Sequence, residues 1–130
     1  MLSIKRETDY AIRCVYYLSG APGEVVMVDE IAREMCIPKS FLAKILQKLA
    51  KHKIVASNVG VKGGFYLARK ASDITLFDVI EAIDGQVAVN RCTVNKKDCA
   101  LSSKCKVHPI WVSVRRDLER MLQDKNFGSL

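Results

Sequence analysis

Three cysteines, Cys92, Cys99 and Cys105, stand in a C-x6-C-x5-C array, and His108 follows the last of them after two further residues. The text between them, TVNKKD and ALSSK, is polar and aperiodic, the pattern of a loop that can gather ligands free of packing constraints. Three thiolates and an imidazole suit an iron-sulfur cluster, which normally takes four ligands, or a structural zinc ion. Zinc modules favour a close pair such as C-x2-C, so gaps of six and five are loose for zinc, and spacing alone leaves both readings open. A redox disulfide between two of the three is a further chemistry. The other two cysteines, Cys14 and Cys36, lie in apolar helical text and read as small buried core residues.

Such a loop needs a frame, and the composition describes one. The 130 residues are 49% apolar and carry 21 Lys and Arg against 14 Asp and Glu, a net charge of +7. That is one ordinary domain with a real core. Five cysteines are an odd number for a disulfide framework, the start MLSIKRETDYAIR lacks a secretory apolar run, and no stretch is apolar enough for a membrane span. The expected location is the cytoplasm, with no membrane partner. The charge is uneven: residues 1–70 hold twelve Lys and Arg against six acids. Between Glu34 and Asp73 there is no acid, yet Lys39, Lys44, Lys48, Lys51, Lys53, Lys62, Arg69 and Lys70 fall there. A single-sign segment of that length is a footprint for phosphate and points to a nucleic acid as partner, which the order of helix-turn-helix and wing makes double-stranded DNA.

Periodicity places that segment on helices. Ala11, Ile12, Val15 and Leu18 repeat at three and four over residues 5–19, closed by Gly20, Pro22 and Gly23. Residues 29–35 form a short second helix, Ile37 bridges a tight turn, and Pro38 opens a third helix with Phe41, Leu42, Ile45, Leu46 and Leu49 on one side. The other side is basic. Ile54 to Val59 and Phe65 to Leu67 read as strands joined by the turn GVKGG. The candidate DNA contacts are Lys39, Ser40, Phe41, Lys44, Lys48 and Lys51 on the helix, with Lys62 and Gly63 on the turn. Thr75 and Asp78 form a capping box for a fourth helix that Gly85 closes. A last helix from Pro109 carries Ile110, Trp111, Val114, Leu118, Met121 and Leu122 at three and four, a stripe assigned to pairing with a second copy.

The opening T-D-Y-A-I-R, the segment I-P-K-S-F-L-A-K-I-L-Q-K-L, the wing V-K-G-G-F-Y-L, the helix T-L-F-D-V-I-E-A-I-D-G and the three-cysteine loop together resemble one family. It is the bacterial winged-helix regulators that include IscR, NsrR and CymR. The resemblance spans essentially the whole chain. It implies a homodimeric regulator, a repressor by this reading, whose third helix enters the major groove of a palindromic operator and whose wing reaches the minor groove. It also implies an iron-sulfur cluster, two-iron or four-iron, held by Cys92, Cys99 and Cys105, which reports iron-sulfur supply, redox state or nitric oxide. The fourth ligand is Asp9 or His108, and the T-D-Y-A-I-R opening tips the reading toward Asp9. Members of the IscR type carry a glutamate where this chain has Ala43 and an arginine where it has Val59, so an operator sequence does not carry over.

The expected architecture is therefore mainly α with a small β-wing. A winged helix-turn-helix spans 1–72, a connecting helix 73–90, a cysteine-rich cluster-binding loop 91–107 and a dimerisation helix 108–127. Two alternatives stand beside cluster sensing: a winged-helix regulator with a structural zinc or thiol switch, and, more distantly, a small thiol or metal-binding enzyme module. The enzyme reading lacks a C-x-x-C, a Gly-rich nucleotide loop, or a partner for His52 or His108 at a recognisable spacing.

Overall fold

The computed structural model describes residues 1–130. Five α-helices and one two-stranded antiparallel sheet follow in the order α1 (Arg6–Ser19), α2 (Val28–Glu34), α3 (Lys39–Lys51), β1 (Val55–Asn58), β2 (Gly64–Leu67), α4 (Leu76–Asp84) and α5 (His108–Gln123). The mainly α, winged architecture matches the expectation. Most boundaries moved by a residue or two at helix ends, where frayed turns blur them, but the connecting helix expected over 73–90 is confined to Leu76–Asp84, because Thr75 caps it and Gly85 ends it. Pro38 caps α3 rather than opening it, and His108 precedes Pro109 as the first residue of α5.

One apolar cluster holds the molecule together. Ala11, Val15 and Leu18 of α1, Ile31 of α2, Leu42, Ile45, Leu46 and Leu49 of α3, and Val79, Ala82 and Ile83 of α4 all belong to it. Cys14 joins them, fully buried, and loss of hydration pushes its thiol up to about 12. Cys36 does not. It is exposed, at φ +53° in the turn after α2, because the chain leaves that helix through a left-handed residue whose side chain points to solvent. The core expectation for Cys36 is thus corrected.

The capping box of α4 forms as read: the Asp78 amide donates to Thr75 Oγ1 and the Thr75 amide to the Asp78 carboxylate. Gly85 ends that helix at φ +86°, where a side chain would strain the backbone. In the sheet Val55 pairs with Leu67 and Asn58 with Gly64, and Val26 adds a single bridge to Phe65. Gly64 is obligatory there, since a Cβ would collide with the Val26 carbonyl.

The tail departs from the reading. The last helix was expected to reach residue 127 but stops at Gln123, after which the chain returns to the core. Phe127 is 2% exposed, its amide donates to the Ile74 carbonyl, and the Leu76 amide donates to Lys125. An aromatic of that size buries more surface against the core than another helical turn in water would. The helix α5 itself has no buried residue.

Candidate nucleic-acid interface and cysteine loop

Burial of Leu42, Ile45, Leu46 and Leu49 fixes how α3 is rotated. Helical spacing then puts Ser40, Ala43, Lys44, Gln47 and Lys51 on the opposite, exposed face. Lys39 and Lys48, expected on the same face, fall on its flanks, and each is held by an acid. Lys39 Nζ lies 2.5 Å from Asp29 of α2, and Lys48 Nζ lies 2.9 Å from Glu7 of α1. Phe41, expected both on the apolar side and at DNA, is about half exposed and packs edge-on to Tyr10 with centroids 5.8 Å apart. The unencumbered cations are thus Lys44 and Lys51. Gln47 between them was passed over as a contact, although an amide can pair with the major-groove edge of adenine.

The wing loop, residues 59–63, is shaped by glycine. Gly60 sits at φ +121°, the Gly63 amide donates to the Gly60 carbonyl at 2.9 Å, and a Cβ at Gly63 would strike the Asn58 carbonyl. Lys62 is exposed on it. A cleft lined by Lys39, Asn58, Val59 and Gly60, among others, joins the start of α3 to the wing.

Behind this face the chain runs into the cysteine loop. Asp84, the last residue of α4, accepts a 2.8 Å hydrogen bond from Thr8, whose side chain is fully buried in α1. Arg115 of α5 donates to the Thr93 carbonyl and to Gln86, and pairs with Glu119 at 2.9 Å. Apart from the Arg115–Glu119 pair, one turn apart on α5, these ties were invisible in the sequence, because each joins residues far apart along the chain.

Cys92, Cys99 and Cys105 are free thiols of intermediate exposure. Within the single chain no three Cys, His, Asp or Glu side chains come together as a metal-holding group. Asp9 lies on α1 with its carboxylate 2.7 Å from the Arg13 guanidinium. His108 closes the loop and opens α5, and its Nδ1 is buried without a hydrogen-bond partner. A buried ring nitrogen with nothing to bind carries a cost of about 1–3 kcal/mol unless something else engages it. The soft thiolates and that nitrogen fit an iron-sulfur cluster in donor chemistry.

A helix-turn-helix whose second helix shows a basic face, followed directly by a glycine-shaped hairpin, defines a winged-helix DNA-binding protein. Comparison with known proteins narrows the class. Residues 4–130 match the model of the Rrf2 family, described as an iron-dependent transcriptional regulator, and the chain belongs to that family. It is 32% identical over 113 residues to the HTH-type transcriptional regulator IscR of Klebsiella pneumoniae, covering 87% of this chain and 68% of that one. The fold is also that of CymR, the global cysteine regulator of B. subtilis, with a TM-score of 0.79 at 20% identity over 98% of this chain and 94% of that one. IscR of T. potens gives 0.75 at 21% identity over 97% and 83%. The protein is a DNA-binding transcription regulator, not an enzyme. No helix is long and apolar enough to cross a membrane.

Proposed function

We propose that the protein is a cytoplasmic homodimeric repressor that binds a palindromic operator and senses iron-sulfur, redox or nitric-oxide status through a cluster on Cys92, Cys99 and Cys105. The carrying observation is the junction at His108. The residue with the partnerless buried nitrogen is also the first residue of α5, whose apolar stripe lies unburied. Ile110, Val114 and Met121 of that stripe are exposed, at 59%, 38% and 63%, and Trp111, Leu118 and Leu122 are only partly covered. A second copy of α5 is the occupant that a two-fold DNA site calls for. Sensor loop and dimer helix are then continuous, so ordering the loop resets the helix that spaces the two DNA-reading halves.

The engagement of Asp9 by Arg13 favours His108 as the fourth ligand, with Asp9 of the partner as the competing assignment. The contacts expected at DNA are Ser40, Lys44, Gln47 and Lys51 in the major groove, with Lys39 and Lys48 joining as they exchange their acids for phosphates. Lys62 and Gly63 belong to the wing contact.

Anaerobic isolation tests the cluster. The expected protein is coloured, with sulfur-to-iron charge-transfer absorption that Cys92→Ala abolishes and His108→Ala shifts. A colourless protein holding one zinc per chain after anaerobic reconstitution would replace the cluster with a structural metal. Sedimentation tests the dimer: Val114→Asp with Met121→Asp should give a monomer, and an unchanged dimer refutes the α5 interface.

A further inference from the structure

Val59 and Val61 are each 99% exposed, as open to solvent as a side chain can be. Single exposed apolar residues are ordinary. Here two β-branched side chains crown one five-residue loop. Gly60 turns the chain at φ +121°, and Gly63 lies so close to the Asn58 and Gly60 carbonyls that no Cβ fits there. The loop thus presents hydrocarbon outward, with Lys62 beside it. It is also continuous with the DNA-reading surface through the cleft that Val59 and Lys39 share.

We propose that Val59 and Val61 are specificity determinants that seat hydrocarbon in the minor groove of A·T-rich DNA, while Lys62 neutralises a flanking phosphate. The inference rests on the wing being the minor-groove element. At A·T pairs the minor-groove floor shows only the acceptors adenine N3 and thymine O2. At G·C pairs the guanine 2-amino group stands up from it. Valine methyl groups contact deoxyribose walls and a flat floor closely, but the amino group pushes them out and is left without a hydrogen-bond partner. Apolar side chains at such positions also part flexible base steps, which A·T-rich sequence permits most readily. Discrimination then comes from shape and hydrocarbon where a cation is absent.

The test starts from a duplex selected by the wild-type protein out of a randomised pool, with the wing positions located by hydroxyl-radical protection. Three versions are compared at those positions: A·T, G·C, and inosine·C, which keeps the G·C major-groove acceptors but lacks the 2-amino group. Wild type should bind the G·C duplex roughly tenfold more weakly and recover on inosine·C. The double variant Val59→Ala/Val61→Ala should bind A·T roughly tenfold more weakly than wild type, with little distinction among the three duplexes and an unchanged salt dependence. Lys62→Ala should keep the distinction and lower the salt slope by about one. Equal sensitivity of wild type and the double variant to G·C would overturn the role of the valines. Equal binding of G·C and inosine·C by wild type would overturn minor-groove placement of the wing. Both outcomes leave the cluster and the dimer untouched.

Discussion

Glu7 holds Lys48, and replacing it with glutamine should strengthen DNA binding. In the free protein the lysine ammonium sits 2.9 Å from the carboxylate, with the side chains 44% and 31% exposed. A half-exposed pair of this kind contributes about 0.2–1 kcal/mol. That amount must be given up before Lys48 can turn to a phosphate. The carboxylate left behind also lies within a Debye length of the backbone and repels it. Both terms vanish in Glu7→Gln, so affinity should rise about two- to tenfold per subunit. Because Lys48 meets the same phosphate in both proteins, the slope of log K against log salt should stay nearly the same. Anisotropy titrations of a fluorescent duplex between about 50 and 200 mM salt read both quantities. The control is Lys48→Met, in which Glu7→Gln relieves only the repulsion and should gain clearly less. An equal gain in the Lys48→Met background would refute the competition argument and leave only general charge. Weaker binding by Glu7→Gln would mean that Glu7 positions Lys48 for DNA instead of withholding it.

Asp29→Asn should act on Lys39 in the same direction, checked by the same titration. Phe127→Ala should cost about 3–5 kcal/mol and lower Tm by roughly 10–18 °C in a thermal melt, since it empties a buried aromatic site in the core; a drop under a few degrees would show that the tail is not anchored. Thiol reactivity should separate the cysteines. With its pKa near 12, Cys14 has almost no thiolate at pH 8, so mass spectrometry of the native, metal-free protein after iodoacetamide should find Cys36 modified and Cys14 untouched. Thr8→Val removes the hydrogen bond to Asp84 and leaves that carboxylate with only the longer contact to Lys5 at 3.5 Å, costing about 1–3 kcal/mol in a denaturant melt.

The features legible beforehand share one property: their partners are near in sequence. The Thr75–Asp78 box closes over three residues, Gly85 ends its own helix, and the α3 stripe needs only the helical period. Cys36 shows the limit of that logic. Its neighbours are apolar, but a left-handed turn aims it at solvent, and turn geometry depends on how α2 and α3 pack. The cysteine array could be seen in the sequence from its spacing, whereas the buried, partnerless nitrogen of His108 could not, because burial is a property of the whole fold.

By itself the sequence determined the helices, the glycine wing, the basic acid-free segment and the C-x6-C-x5-C loop, since periodicity, turn chemistry and residue spacing are local. Tertiary structure alone decided which lysines are free. Lys48 and Glu7 are 41 residues apart, and the choice between an acid and a phosphate turns on a separation of a few ångströms. It alone joined Thr8 to Asp84 across 76 residues and turned Phe127 back into the core. Electrostatic and packing energies depend on distance in space, and only the folded chain sets that distance.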